Sequence, residues 1–127
     1  MRKLIKKLLA HNSYLIAIFT TIFVAYLSLR SGGVDVRIPI KNIDKAFHFT
    51  AYFVLTITWL FALKKRNATK LIVIVLILYG IALEYAQEYF TQDRTKDVFD
   101  ALANTIGIII AALFYKYIYN NLLKIFG

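Results

Sequence analysis

Four apolar segments occupy most of this 127-residue chain, each long enough or nearly long enough to cross a bilayer. In hydrocarbon every backbone polar group must be satisfied internally, which restricts such segments to helices or a closed barrel. Hydrophobic residues make up 60 % of the chain and its mean hydropathy is +0.62, well above a soluble domain. The expected fold is an all-α integral membrane protein with four transmembrane helices in a small bundle. They lie at about 13–29, 44–63, 71–90 and 97–119, within a single membrane domain over 13–119. Cysteine is absent, which excludes disulfide and thiolate chemistry.

Residues 1–12 form a basic amphipathic lead, with Arg2, Lys3, Lys6 and Lys7 beside Leu4, Ile5, Leu8 and Leu9. Ser13 to Leu29 then carry no charge. No small-x-small site follows, which argues against a cleaved signal peptide. In residues 30–43, Ser31-Gly32-Gly33 break the helix, and Val34, Val36, Ile38 and Ile40 alternate with polar residues and Pro39. That period of two predicts an extended, half-buried connector at the interface, either an ordinary loop or a partial lid. The uncharged run of the third segment, Leu71 to Leu83, is short for a span. To cross, it must take in Glu84, Gln87 and Glu88. Tyr115, Tyr117 and Tyr119 read as an interfacial aromatic belt. Residues 120–127 are a short tail.

Four spans put the N-terminus, the 64–70 turn and the C-terminus on one side. That side carries ten positive residues (Arg2, Lys3, Lys6, Lys7, Lys64, Lys65, Arg66, Lys70, Lys116 and Lys124) and no acid. The other side carries six, Arg30, Arg37, Lys41, Lys45, Arg94 and Lys96, together with all seven acidic residues. Excess Lys and Arg mark the cytoplasmic side, so both termini are expected in the cytoplasm and the acidic end faces outward. The net charge of +9 is therefore a property of membrane flanks, and nucleic acid is not an expected partner.

Helical spacing groups the polar residues. Asp44, His48 and Tyr52 stack four apart on the second helix. Glu84, Gln87 and Glu88 share a face of the third. Asp97, Asp100 and Asn104 lie at i, i+3 and i+7 on the fourth. Exposure to lipid would cost about 2.5–3.5 kcal/mol per charge, so these stripes should turn inward and meet. Tyr52 lies about 12 Å below Asp44, which describes a pocket reaching partway in rather than a polar track across the membrane. A channel or proton pump is disfavoured on that ground. Glu84 and Glu88, of like sign, call for a proton or a cation between them. Arg94 offers a planar fork for a carboxylate or phosphate. Plainer roles suit the same residues: Asp44, Asp97 and Asp100 as helix caps, His48 as an interfacial histidine bonded to Asp44, and Tyr52 and Asn104 as interhelical polar contacts. Gly107 is expected to permit close helix contact.

Asp44-Lys45-x-x-His48-Phe49-x-x-Tyr52 resembles a signature of the VanZ-like membrane proteins. Glu84-x-x-Gln87, followed by Arg94-x-x-Asp97-x-x-Asp100-x-x-x-Asn104-x-x-Gly107, resembles the second signature of the same family. The likeness spans roughly residues 40–115, and the first helix matches only in character. The Gln92-Asp93 pair departs from the tighter turn common in the family, and Glu88 is not part of its signature. The resemblance implies a small protein of the bacterial cytoplasmic membrane acting at the outer leaflet, in a family named for teicoplanin resistance. It implies no particular reaction.

Two classes of function follow. In the first, favoured over catalysis, an outward polar pocket of Asp44, Lys45, His48, Tyr52, Glu84, Gln87, Arg94, Asp97, Asp100 and Asn104 binds a lipid head group or a lipid-linked envelope intermediate. In the second, a membrane-embedded enzyme uses Asp44 to orient His48 as general base, with Glu84 or Asp100 as acid. His48, Glu84 and Asp100 are the candidate ligands of a divalent metal, and no organic cofactor is expected. A flippase or an assembly role would need a partner or a homo-oligomer.

Overall fold

The structure, a computed structural model, describes residues 2–29, 43–63, 68–90 and 98–126. They form four helices, α1 (Arg2–Leu29), α2 (Ile43–Leu63), α3 (Ala68–Phe90) and α4 (Val98–Phe126). Among the described residues there is no strand, and all four helices contain a stretch long and apolar enough to cross a membrane. The expected four-helix fold is therefore present. The basic lead is continuous with α1, and α4 runs on through most of the expected tail to Phe126. The alternating connector, Arg94 and Asp97 lie outside the described residues.

The helices pack with α2 and α3 as the central pair and α1 and α4 at opposite corners. α2 makes its most extensive contact with α4, and α1 does not touch α4 among the described residues. The reason for the tight α2–α4 pairing is Gly107. A Cβ built there would stand 2.5 Å from the Phe49 carbonyl oxygen, so the two backbones approach to a distance only glycine allows. This meets the expectation for Gly107.

Val24, Tyr52, Leu55, Leu60, Ile72, Leu76, Leu83, Ile108 and Tyr115 form the apolar core. Phe19, Ile22, Leu71, Leu78, Leu113 and other large side chains face outward, as a lipid-facing surface requires. Tyr115 does not belong to an aromatic belt. It follows Ile108 and Ala111 along the buried stripe of α4 and packs edge-on against Phe61, ring centroids 5.0 Å apart. Tyr117, two residues on, is turned to the exterior and suits the belt.

α1 packs on the central pair through Val24, Ala25 and Leu29, and one of its residues hydrogen-bonds to both helices. Trp59 Nε1 donates to Thr21 Oγ1 at 2.8 Å, and Tyr79 Oη donates to the Thr21 carbonyl at 2.7 Å. The Thr21 hydroxyl in turn donates to the Ala17 carbonyl at 2.8 Å. One threonine thus hydrogen-bonds α1 to both central helices.

Gly107→Ala should weaken the bundle by about 1–3 kcal/mol, because the added methyl must push α2 from α4. Unfolding in mixed micelles measures this. An unchanged midpoint would contradict so close a crossing.

Candidate functional site

The α2–α4 crossing lies beside the polar end of the bundle. Phe49, whose carbonyl meets Gly107, directly follows His48, and Gly107 lies one turn beyond Asn104. The crossing therefore presses His48 against α4. His48 Nδ1 is 3.0 Å from Asn104 Oδ1, and His48 Nε2 is 3.5 Å from Asp100 Oδ2. From α3, Glu84 brings Oε1 to 4.0 Å from His48 Nδ1. Three helices thus contribute polar groups around one imidazole.

Burial sharpens with depth. Glu84, Gln87 and Asn104 are almost fully buried, Asp100 is buried, and His48 is half-buried. At the rim, Lys45 Nζ stands 2.7 Å from Asp44 Oδ2 and 2.9 Å from Asp100 Oδ1. The first contact is a directed hydrogen bond. The second is an ion pair without hydrogen-bond geometry. Asp44 itself is exposed. The lysine therefore links a solvent-side carboxylate to a buried one.

Just below the histidine the charged groups end. Tyr52 is buried one turn further in, and Gly80 of α3 makes room for it. A Cβ on Gly80 would lie 3.2 Å from the Tyr52 ring and 3.3 Å from Asn104 Nδ2. One turn deeper, Thr56 spends its hydroxyl on the Tyr52 carbonyl at 2.6 Å. The cluster thus occupies one end of the bundle.

Two expectations change. Glu88 does not share the site with Glu84; it is exposed. The buried residues of α3 are Ile72, Leu76, Gly80, Leu83, Glu84 and Gln87, and the buried face ends before Glu88, one turn beyond Glu84. The pairing of two like carboxylates therefore does not arise. Nor does Asp44 orient His48, because its carboxylate turns to Lys45 while the ring faces Asn104, Asp100 and Glu84. Gly80 escaped the sequence reading. Its signal is a residue without a side chain, one turn before Glu84, in an otherwise bulky run.

Fold and site together define a four-span membrane protein with an ionisable cluster buried at one end of its bundle. The family model described as VanZ/LLP1 matches residues 3–122, and the chain belongs to that family. The match includes α1, beyond the stretch that carries the sequence resemblance. An uncharacterized protein of Schizosaccharomyces pombe is 36% identical over 103 residues, which cover 77% of this chain and 60% of that protein. The chain thus spans about 60% of the length of this relative. No solved structure matches the chain.

Asn104→Ala removes the partner of His48 Nδ1 and should lower stability by about 1 kcal/mol. Glu88→Gln, on the exposed side, should stay within about 0.5 kcal/mol of the parent. Unfolding midpoints of the two variants test the assignment. Equal loss in both would place Glu88 inside the site.

Proposed function

We propose that the protein binds the polar head of a membrane lipid, or of a lipid-linked envelope intermediate, at the acidic end of its bundle. The observation that carries this is the position of Lys45. It stands at the rim between two carboxylates, above the half-buried His48, where its ammonium can swing to a phosphate. Arg94, next in sequence to the same end, adds a second phosphate-binding group. Buried Glu84, Asp100 and Asn104 supply acceptors for amine or sugar hydroxyl donors.

The charge bias supports an outward-facing site with both termini in the cytoplasm. In a bacterial cytoplasmic membrane this places the site where cell-wall precursors emerge. Occupying or screening them there would reduce glycopeptide engagement, which is the form teicoplanin resistance would take. The yeast relative favours the lipid head group over a wall-specific ligand, because related sequence occurs in a cell that glycopeptides do not target. Metal-assisted catalysis on a lipid-linked substrate is the second reading, motivated by the approach of His48, Glu84 and Asp100.

Native mass spectrometry of the purified full chain should show retained phospholipid, reduced several-fold by Lys45→Ala and by Arg94→Ala. A chain that releases all lipid, or variants that retain as much as the parent, would sink the reading. The chain has no cysteine, so Asp44→Cys gives a clean probe of orientation. An impermeant thiol reagent should label it in whole cells. Protection there, with labelling only after lysis, would reverse the topology.

A further inference from the structure

We infer that His48, Glu84 and Asp100 form a binding site for a zinc-like divalent ion, held in register by Asn104. One ligand atom from each of the three residues lies within 4.8 Å of the other two. The residues come from three different helices, so the site exists only in the assembled bundle.

Asn104 Oδ1 lies 3.0 Å from His48 Nδ1; with that oxygen accepting, the proton of a neutral ring is on Nδ1. Nε2 then carries the lone pair and points toward Asp100 Oδ2. Two electron-rich atoms face each other at 3.5 Å. That is long for an N–H···O bond of about 2.7–3.2 Å. It suits two ligands of one ion: zinc bonds of about 2.0–2.2 Å at a tetrahedral angle separate neighbouring donors by about 3.4 Å. An amide oxygen that fixes the far nitrogen is the usual outer support of a metal-bound imidazole.

Asp100 divides its two oxygens. Oδ1 meets Lys45 at 2.9 Å, leaving Oδ2 on the histidine side for the ion. Glu84, almost fully buried, approaches the ring from α3 on its Nδ1 side, at 4.0 Å from that nitrogen, and offers a carboxylate oxygen within 4.8 Å of the other two ligand atoms. To join the shell its carboxylate must rotate from the Nδ1 side toward Nε2, a change of side-chain rotamer. An imidazole with two carboxylates favours zinc over magnesium, which demands octahedral oxygen ligation and keeps its waters. Three protein ligands leave a fourth position open. A phosphate oxygen of the bound head group would enter there, a step that alone rests on the lipid reading; the ion site does not.

The test uses tag-free full-length protein in micelles, stripped with chelator and then titrated with Zn²⁺ or Mg²⁺ alone. One Zn²⁺ per chain should be retained through desalting, with a raised unfolding midpoint, and Mg²⁺ should give neither. His48→Gln and Asp100→Asn should abolish retention, and Asn104→Ala should weaken affinity by about 10-fold or more. His11→Ala, which removes the other histidine, should have no effect. Lys45→Gln should tighten Zn²⁺ binding, since it removes a competing cation from Asp100, while weakening lipid retention. That opposite response separates failure of the ion site from failure of the lipid reading. Circular dichroism checks that each variant is folded. Zinc absent from the folded parent, or retained equally by folded His48→Gln, or held no better than Mg²⁺, would overturn the proposal.

Discussion

Two helices can approach until a backbone carbonyl touches the facing helix only where the facing residue has no Cβ. Gly107 opposite the Phe49 carbonyl meets that condition, and much of the site's geometry follows from it. The neighbours of these two residues are the ones that matter chemically. His48 precedes Phe49, while Asn104 and Asp100 lie one and two turns before Gly107. Bringing the backbones together at one level sets the imidazole within reach of the amide and the carboxylate. A wider crossing would leave the same residues as separate polar groups, each needing its own partner in a medium that supplies none.

α3 then completes the arrangement by being small where α2 and α4 are polar. Gly80 yields space to the Tyr52 ring and the Asn104 amide, and one turn later Glu84 enters the cluster. α1 contributes in a different way. It is absent from the cluster and packs on the central pair through Val24, Ala25 and Leu29, with Thr21 receiving hydrogen bonds from both Trp59 and Tyr79. Its attachment and the site are thus built from separate residues on the same two helices, Trp59 below His48 on α2 and Tyr79 below Glu84 on α3.

The sequence revealed those features that have a period or break one. The helices announce themselves by apolar length, and Glu84 by interrupting an apolar run that must still span. His48 and Tyr52 share a face by a spacing of four, and Asp100 and Asn104 do likewise on α4. Glu88 has the same local signal as Glu84 yet lies outside, because only the neighbouring helices determine where the buried face of α3 ends. The direction in which Asp44 turns was equally illegible. An i, i+4 spacing places it over His48, but the adjacent Lys45 takes its carboxylate at 2.7 Å. Tyr115 reads as interfacial from its neighbours Tyr117 and Tyr119, and only its contact with Phe61 of α2 shows it to be core. In each case the missing information is a relation between helices, which no single segment contains.

A cluster of this kind is hard to explain by stability. Buried ion pairs commonly give no more than well-packed apolar residues of the same volume, and a carboxylate in a span is expensive unless it is paired. Leucines at 84 and 100 would satisfy the bundle at least as well. Their replacement by acids, around a histidine whose far nitrogen is fixed by Asn104, makes sense if the groups act on something that arrives. Where that something arrives is constrained by depth. Lys45 and Asp44 open the cluster to one surface, while Tyr52 and Gly80 close it below and Thr56 turns its hydroxyl back to its own helix. Among the described residues the charged groups of the cluster stop there, and the hydroxyl and indole groups deeper in are bonded within the bundle. A species entering from that surface meets charge and then the buried Tyr52 ring, which under the proposed head-group reading suits holding a head at one leaflet.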